Sequence, residues 1–229
     1  MNDPESVKVV LIGESGVGKT SIISKFTTNV FDPQCPPSLN SQFITKTLEF
    51  PEYNKSIKFD IWDTVGQEKY RSLAKIFYRD AKVIIFVYDI TSEPTFNAIK
   101  TFWIKEIQNN TENNRLLALV GNKCDLYIDH KISNSEGEYL AKEMNSMFTL
   151  TSALSNTGIM ELFENIGKKI IDPNYEIRDN SDKIAKENYE KKKKEENKFK
   201  VNKKDKRIKL GINNEENNDE KGDKKKKCC

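Results

Sequence analysis

The chain has 229 residues, 36% of them hydrophobic and 32% charged, with a formal net charge of +3. Its apolar runs, such as VKVVLI, KVIIFVYDI and LLALVG, all precede Asp172, and the longest unbroken one, Val83 to Tyr88, is far too short to span a bilayer. After Pro173 there are 19 Lys and Arg against 13 Asp and Glu, which puts +6 on the tail and leaves −3 on the first 172 residues.

No apolar leader core follows Met1, and residue 2 is Asn, which closes the N-myristoylation route. A cytosolic protein is expected, with Cys35, Cys124, Cys228 and Cys229 as thiols whose spacing fits no zinc site. Residues 1–6 read as a short flexible N-terminus, 7–172 as one domain, and 173–229 as a charged, disordered tail with almost no core-forming material.

In chain order, Val7 to Ile12 reads as a strand that leads into a Gly-rich turn and a helix from about Lys19. Phe43 to Phe50 and Ser56 to Trp62 flank PEYNK, which suits a hairpin loop. Lys82 to Asp89 reads as a strand followed by a helix opening near Thr95, with Pro94 in its first turn. Leu116 to Gly121 precedes a helix from about Ser135, and Phe148 to Thr151 precedes a final helix over Gly158 to Ile171. Six strands alternating with about five helices predict an α/β three-layer sandwich around a mostly parallel sheet, with ligands beyond the carboxyl ends of the strands.

The run GESGVGKT, Gly13 to Thr20, matches the phosphate loop G-x-x-x-x-G-K-S/T between a buried strand and a helix. Backbone N–H groups across Ser15, Gly16, Val17 and Gly18 cradle phosphate oxygens there, helped by the helix dipole. Lys19 reaches the β and γ phosphates, and Thr20 offers its hydroxyl to Mg2+. NKCD, Asn122 to Asp125, follows the fifth strand, where a base would lie. An Asp carboxylate accepts from both N1–H and the exocyclic amine of guanine, a donor pair that adenine lacks. TSAL, Thr151 to Leu154, follows the sixth strand and strengthens that reading.

These residues carry a resemblance to the Ras superfamily of small GTPases, and most closely to its Rab branch, over about Val7 to Ile171 and again at the last two residues. WDTVGQEKYRSL, FYRDAKVIIFVYDIT and FWIKEI are similar to Rab stretches, with Val65 where Ala is usual. The resemblance implies that Asp63 holds Mg2+ through water, that the Gly66 N–H senses the γ-phosphate, and that Gln67 orients the attacking water. It implies that Phe31 covers the guanine edge, that Asn122, Lys123 and Asp125 contact the base, and that Ser152 and Ala153 close its pocket. Phe43, Trp62 and Phe77 match the hydrophobic trio that displays the nucleotide state to effectors. The P-loop NTPase fold and hydrolysis of GTP to GDP and phosphate follow from the same likeness.

The first switch departs from the Rab pattern. Aligned on Phe43, PPSLNSQF puts Ser38 where a Mg2+-ligating Thr is usual and Asn40 where Gly is usual. Serine keeps the hydroxyl but loses the stiff β-branched rotamer, so a looser switch is expected, partly offset by Pro36 and Pro37.

The chain ends KKKKCC. A C-a-a-X box would need a cysteine at the position of Lys226, so that route is closed. The resemblance implies geranylgeranylation of both Cys228 and Cys229, and two lipid chains anchor stably where one does not. Lys224 to Lys227 each add about 1 kcal/mol near an anionic leaflet. A flexible tail of some 55 residues reaches roughly 40 Å. By the same likeness, the expected partners are exchange factors, activating proteins, a GDP dissociation inhibitor, the escort protein and prenyltransferase, and effectors of the GTP form. The protein is expected to be a monomer on the cytoplasmic face of an endomembrane, cycling with cytosol in vesicle traffic, with no specific nucleic acid. The competing readings are a nucleotide-stabilised scaffold that hydrolyses negligibly and a Ras-type signalling GTPase.

Overall fold

A computed structural model describes residues 4–34, 42–64, 74–111 and 114–177 and, in the tail, the helical positions 183, 184, 186, 187, 190, 193 and 194. The chain divides into two compact units, Met1–Asn188 and Tyr189–Cys229; of the second, only Glu190, Lys193 and Lys194 are described, each helical and exposed.

The strands are β1 (Glu5–Ile12), β2 (Gln42–Phe50), β3 (Lys55–Asp63), β4 (Val83–Asp89), β5 (Leu116–Asn122) and β6 (Met147–Thr151). They form one sheet in the order β2-β3-β1-β4-β5-β6. Only the β2–β3 pair is antiparallel, from Gln42 opposite Asp63 to Phe50 opposite Lys55. The PEYNK connection contains a tight turn at Pro51–Tyr53, and Asn54 takes the left-handed conformation that lets β3 return at Lys55.

The helices are α1 (Lys19–Thr28), α2 (Ala74–Tyr78), α3, α4 (Asn134–Glu143) and α5 (Ile159–Ile171). Helix α3 is a continuous run of an α-helical segment Glu93–Ala98, a π-helical turn Ile99–Trp103 and a second α-helical segment Ile104–Asn110. The Pro94 position predicts its start within two residues; the π turn leaves no mark in the sequence pattern. At α4, Ser133 and Glu136 form a reciprocal capping box that stops the helix from fraying.

All seven residues of β4 are buried, as a central parallel strand covered on both faces must be. One face packs α1 and α5 through Phe26 stacked on Phe163 at 3.7 Å, with Phe59 edge-on to both. The other packs α3 and α4 through Phe86, Phe96, Trp103 and Leu140. These two layers hold the sheet rigid, so the loops at its carboxyl ends start from fixed points. Ile184, in the tail, is 4% exposed and belongs to the second cluster.

Candidate nucleotide-binding site

The phosphate loop leaves β1 and enters α1 at the carboxyl end of the sheet. Gly13 (φ 146°) lies against the Val87 carbonyl, and Gly18 (φ 94°) lies against the Asn122 side chain; a Cβ at either position would overlap those atoms. The Lys19 ammonium, 5% exposed, donates to the carbonyls of Gly13 and Glu14, both at 2.9 Å. Burial lowers its pKa to about 8, while the Asp63 and Glu14 carboxylates oppose that shift. Glu14 is itself held by the Trp103 indole N–H at 3.1 Å.

Asp63 ends β3 and is 1% exposed. Its Oδ2 accepts from the Thr20 hydroxyl at 2.6 Å. A hydroxyl and a carboxylate side by side are hard oxygen donors of the type Mg2+ takes, so the residues present fit that ion. The next residue, Thr64, donates to the Leu11 carbonyl at 2.6 Å, which fixes the exit of β3 against β1.

The base motif lies across the same end. Asn122 donates from Nδ2 to the Val17 carbonyl at 2.7 Å and accepts at Oδ1 from the Thr151 hydroxyl at 3.0 Å. This 2%-exposed amide therefore ties the phosphate loop, β5 and β6 together. Lys123 adopts φ 64°, a conformation rarely taken by a non-glycine residue, and its ammonium pairs with Asp89 at 2.6 Å. Asp125 accepts from the Ser152 hydroxyl, and Ser152 Oγ in turn accepts from the Ser155 N–H at 3.0 Å. Ser152 and Ala153 are buried, and Phe31 is half-buried against the α1–α5 cluster.

The structure thus brings together Ser15, Gly16, Val17, Gly18, Lys19, Thr20 and Asp63 at one side and Asn122, Lys123, Asp125, Ser152 and Ala153 at the other. Ser38, Gly66, Gln67, Cys228 and Cys229 lie outside the described residues, as do Pro36, Pro37, Asn40, Val65 and the Lys224 to Lys227 run. Sequence reasoning missed Glu14, Trp103, Asp89 and Thr151 as supports. Glu14 occupies an unspecified position of the loop motif, and Trp103 lies 89 residues away, so no spacing rule connects them. A cleft of about 650 Å³ lined by Arg79, Asp80, Lys82 and Arg115 opens at the amino ends of β4 and β5, at the opposite end of the sheet, and holds none of the predicted site residues.

The aromatic trio is also assembled. Trp62 stands 5.1 Å from Phe43 and 5.9 Å from Phe77, ring centre to ring centre. Phe43 is 52% exposed, which argues for display over core packing, while Trp62 and Phe77 lean on the second cluster.

Comparison with known proteins gives the same reading. The Ras family matches over residues 8–172. The chain is 40% identical over 164 residues to "Ras-related protein Rab-22A" of Homo sapiens, across 72% of this chain and 83% of that protein. It is 41% identical over 164 residues to "GTP-binding protein ypt5" of Schizosaccharomyces pombe, across 71% and 77% of the two chains. To "Ras-related protein RabC" of Dictyostelium discoideum it is 36% identical over 157 residues, across 69% and 80%.

Proposed function

The chain belongs to the Ras family as a Rab-type small GTPase that binds and hydrolyses GTP in vesicle traffic, and from that premise we propose how its own residues divide the work. Ser15 through Gly18 donate backbone N–H groups to the phosphates, and Lys19 neutralises them. Thr20 and Asp63 would hold Mg2+, with Ser38 contributing a hydroxyl in the GTP state, and the bound ion would supply neutralisation of the phosphate charge. Asp125 reads guanine, the Lys123 stem and Phe31 cover the ring, and Ser152 and Ala153 close the pocket. Gly66 senses the γ-phosphate and Gln67 orients water for in-line attack, which needs positioning far more than covalent help.

The observation that carries this reading is the Asn122 amide, bonded at once to the phosphate loop and to β6. One side chain sets the separation between phosphate and base sites, so only a ligand with both parts at that spacing engages both. GTP loading then orders the switch that presents Phe43, Trp62 and Phe77, and hydrolysis releases it. Exchange factors and activating proteins set the two rates, and the latter supply an arginine in trans. Geranylgeranyl groups on Cys228 and Cys229, aided by the terminal lysines, anchor the GDP/GTP cycle to the cytoplasmic face of an endomembrane. A GDP dissociation inhibitor returns the protein to cytosol. No helix among the described residues is long and apolar enough to cross a membrane.

Single-turnover phosphate release from GTP-loaded protein tests the assignment. Slow release that drops further in Gln67→Leu supports a timed switch with Ser38 in the place of threonine. No release from either protein, with tight GDP binding intact, would replace hydrolysis by a nucleotide-stabilised scaffold and point to Ser38 and Asn40 as the cause.

A further inference from the structure

The end of β4 meets the guanine motif at one ion pair. Asp89 stands beside Asn122 in the sheet, and the Ile90 N–H donates to the Asn122 carbonyl at 3.1 Å. Lys123 then leaves β5 at φ 64°, and its ammonium reaches Asp89 Oδ2 at 2.6 Å. Asp89 divides its carboxylate between two tasks. Oδ1 accepts from the Thr91 N–H at 2.8 Å and from the Thr91 hydroxyl at 2.7 Å, closing the turn in which an aspartate bonds its own chain two residues on. The Asp89 N–H donates to the Thr95 hydroxyl at 3.1 Å, and that hydroxyl donates to the Ser92 carbonyl at 2.7 Å, which ties the turn to the start of α3. The turn needs only Oδ1, so Oδ2 is held facing Lys123.

We propose that Asp89 is a positioning residue for guanine recognition: it pins the Lys123 ammonium so that the lysine stem is held where it covers the base, acting through Lys123 and not on the nucleotide. The inference rests on the reading that the Lys123 stem covers the guanine ring. A free lysine stem turns about several bonds and must lose that freedom when a ligand orders it. Here both ends are already fixed, the Cα by its left-handed backbone and the Nζ by the ion pair. That preorganisation lowers the cost of binding.

Charge points the same way. Guanine is neutral, and a lone ammonium at its edge would seek water or another carboxylate instead of lying along a ring. Pairing with Asp89 satisfies it and gives it a partner other than Asp125, whose carboxylate the base needs. The Lys123 side chain is 34% exposed against 10% for Asp89, so the partner is buried while part of the stem stays open to be covered by a ring.

The test uses the full-length, unlipidated protein loaded with fluorescent GDP and Mg2+, and reads loading and the GDP dissociation rate. Asp89→Asn keeps the shape and an acceptor for Thr91 but loses the charge; Lys123→Met keeps a stem without the ammonium. Asp89→Asn should release GDP about tenfold faster than wild type. In the Lys123→Met background the same substitution should bring no further acceleration, because the tether is already gone. An aspartate with a merely structural role would accelerate release in both backgrounds, so equal acceleration in the two, or wild-type release from Asp89→Asn, overturns the proposal. Thr91→Val loosens the carboxylate without removing it and carries the same test if Asp89→Asn does not fold: its smaller acceleration should vanish beside Lys123→Met, and persistence overturns the positioning role. Failure of the wild type to load GDP, or wild-type release from Lys123→Met alone, overturns instead the reading of the base site on which that role depends.

Discussion

The indole N–H of Trp103 donates to the carboxylate of Glu14 at 3.1 Å, joining the last residue of the π turn in α3 to the second residue of the phosphate loop. A π turn fits an extra residue into the helix and so re-aims the side chains that follow; here it accompanies an indole pointed at the loop. A hydrogen bond to a charged acceptor contributes about 1.5–3 kcal/mol. Trp103→Phe should lower unfolding stability by about 2 kcal/mol in urea denaturation and quicken GDP release. Loss of stability with an unchanged release rate would limit Trp103 to packing.

Asn122→Ala removes one partner from the Val17 carbonyl and one from the Thr151 hydroxyl, both at buried positions. Each group stripped of a partner costs about 1–3 kcal/mol. GDP dissociation should accelerate by about a hundredfold, equivalent to some 3 kcal/mol. Thr151→Val touches only one of the two bonds and should fall between Asn122→Ala and wild type. Equal rates in all three proteins would detach the brace from nucleotide affinity.

Lys19 predicts opposite pH trends for folding and for binding. Its pKa in the nucleotide-free fold is lowered to about 8, chiefly by burial, whereas in the unfolded chain it stays near 10.4. Between those values the unfolded chain holds the extra proton, so the stability of the nucleotide-free protein should rise with pH across that window. Phosphate oxygens favour the ammonium, so GDP binding takes up a proton there. Affinity should be undiminished below about pH 8 and fall as pH climbs above it. Calorimetry in two buffers of different ionisation heat would show that uptake; heats independent of buffer at pH 9 would remove Lys19 from the linkage.

Thr20 and Asp63 are assigned to Mg2+ through their 2.6 Å hydrogen bond at the mouth of the loop. Thr20→Ala should weaken GDP binding about tenfold in excess Mg2+ and leave it nearly unchanged in EDTA. Thr20→Ser should restore the metal-dependent part. An equal loss in Mg2+ and EDTA would make Thr20 a phosphate ligand alone.

Phe43 and Phe59 are both aromatic and both in the antiparallel ribbon, yet one is 52% exposed and the other 0%. Phe59→Ala should cost about 3–5 kcal/mol because it empties a packed site. Phe43→Ala should cost under about 1 kcal/mol. Comparable losses in thermal or urea unfolding would return Phe43 to the core and take it off the display surface.

The order of strands and helices was legible along the chain because burial on both faces writes continuous apolar runs, as in β4, and because glycines mark the turns between them. The phosphate-loop and NKCD motifs were legible for a related reason: their residues come from short contiguous stretches, Gly13 to Thr20 and Asn122 to Asp125, whose local geometry is set by neighbours in sequence. Likewise, the acidic body and basic tail are a matter of composition alone.

What holds those motifs in register was decided only by the tertiary fold. Asn122 reaches Val17 across 105 residues, Trp103 reaches Glu14 across 89, and Thr20 reaches Asp63 across 43. No periodicity couples such pairs; they meet because strand order places the carboxyl ends of β1, β3, β5 and β6 along one edge. Ile184 shows the same limit from the other side. By composition it belongs to a charged tail, and it is buried because folding leaves room for it in the apolar cluster on the α3 and α4 face, which the local sequence does not reveal.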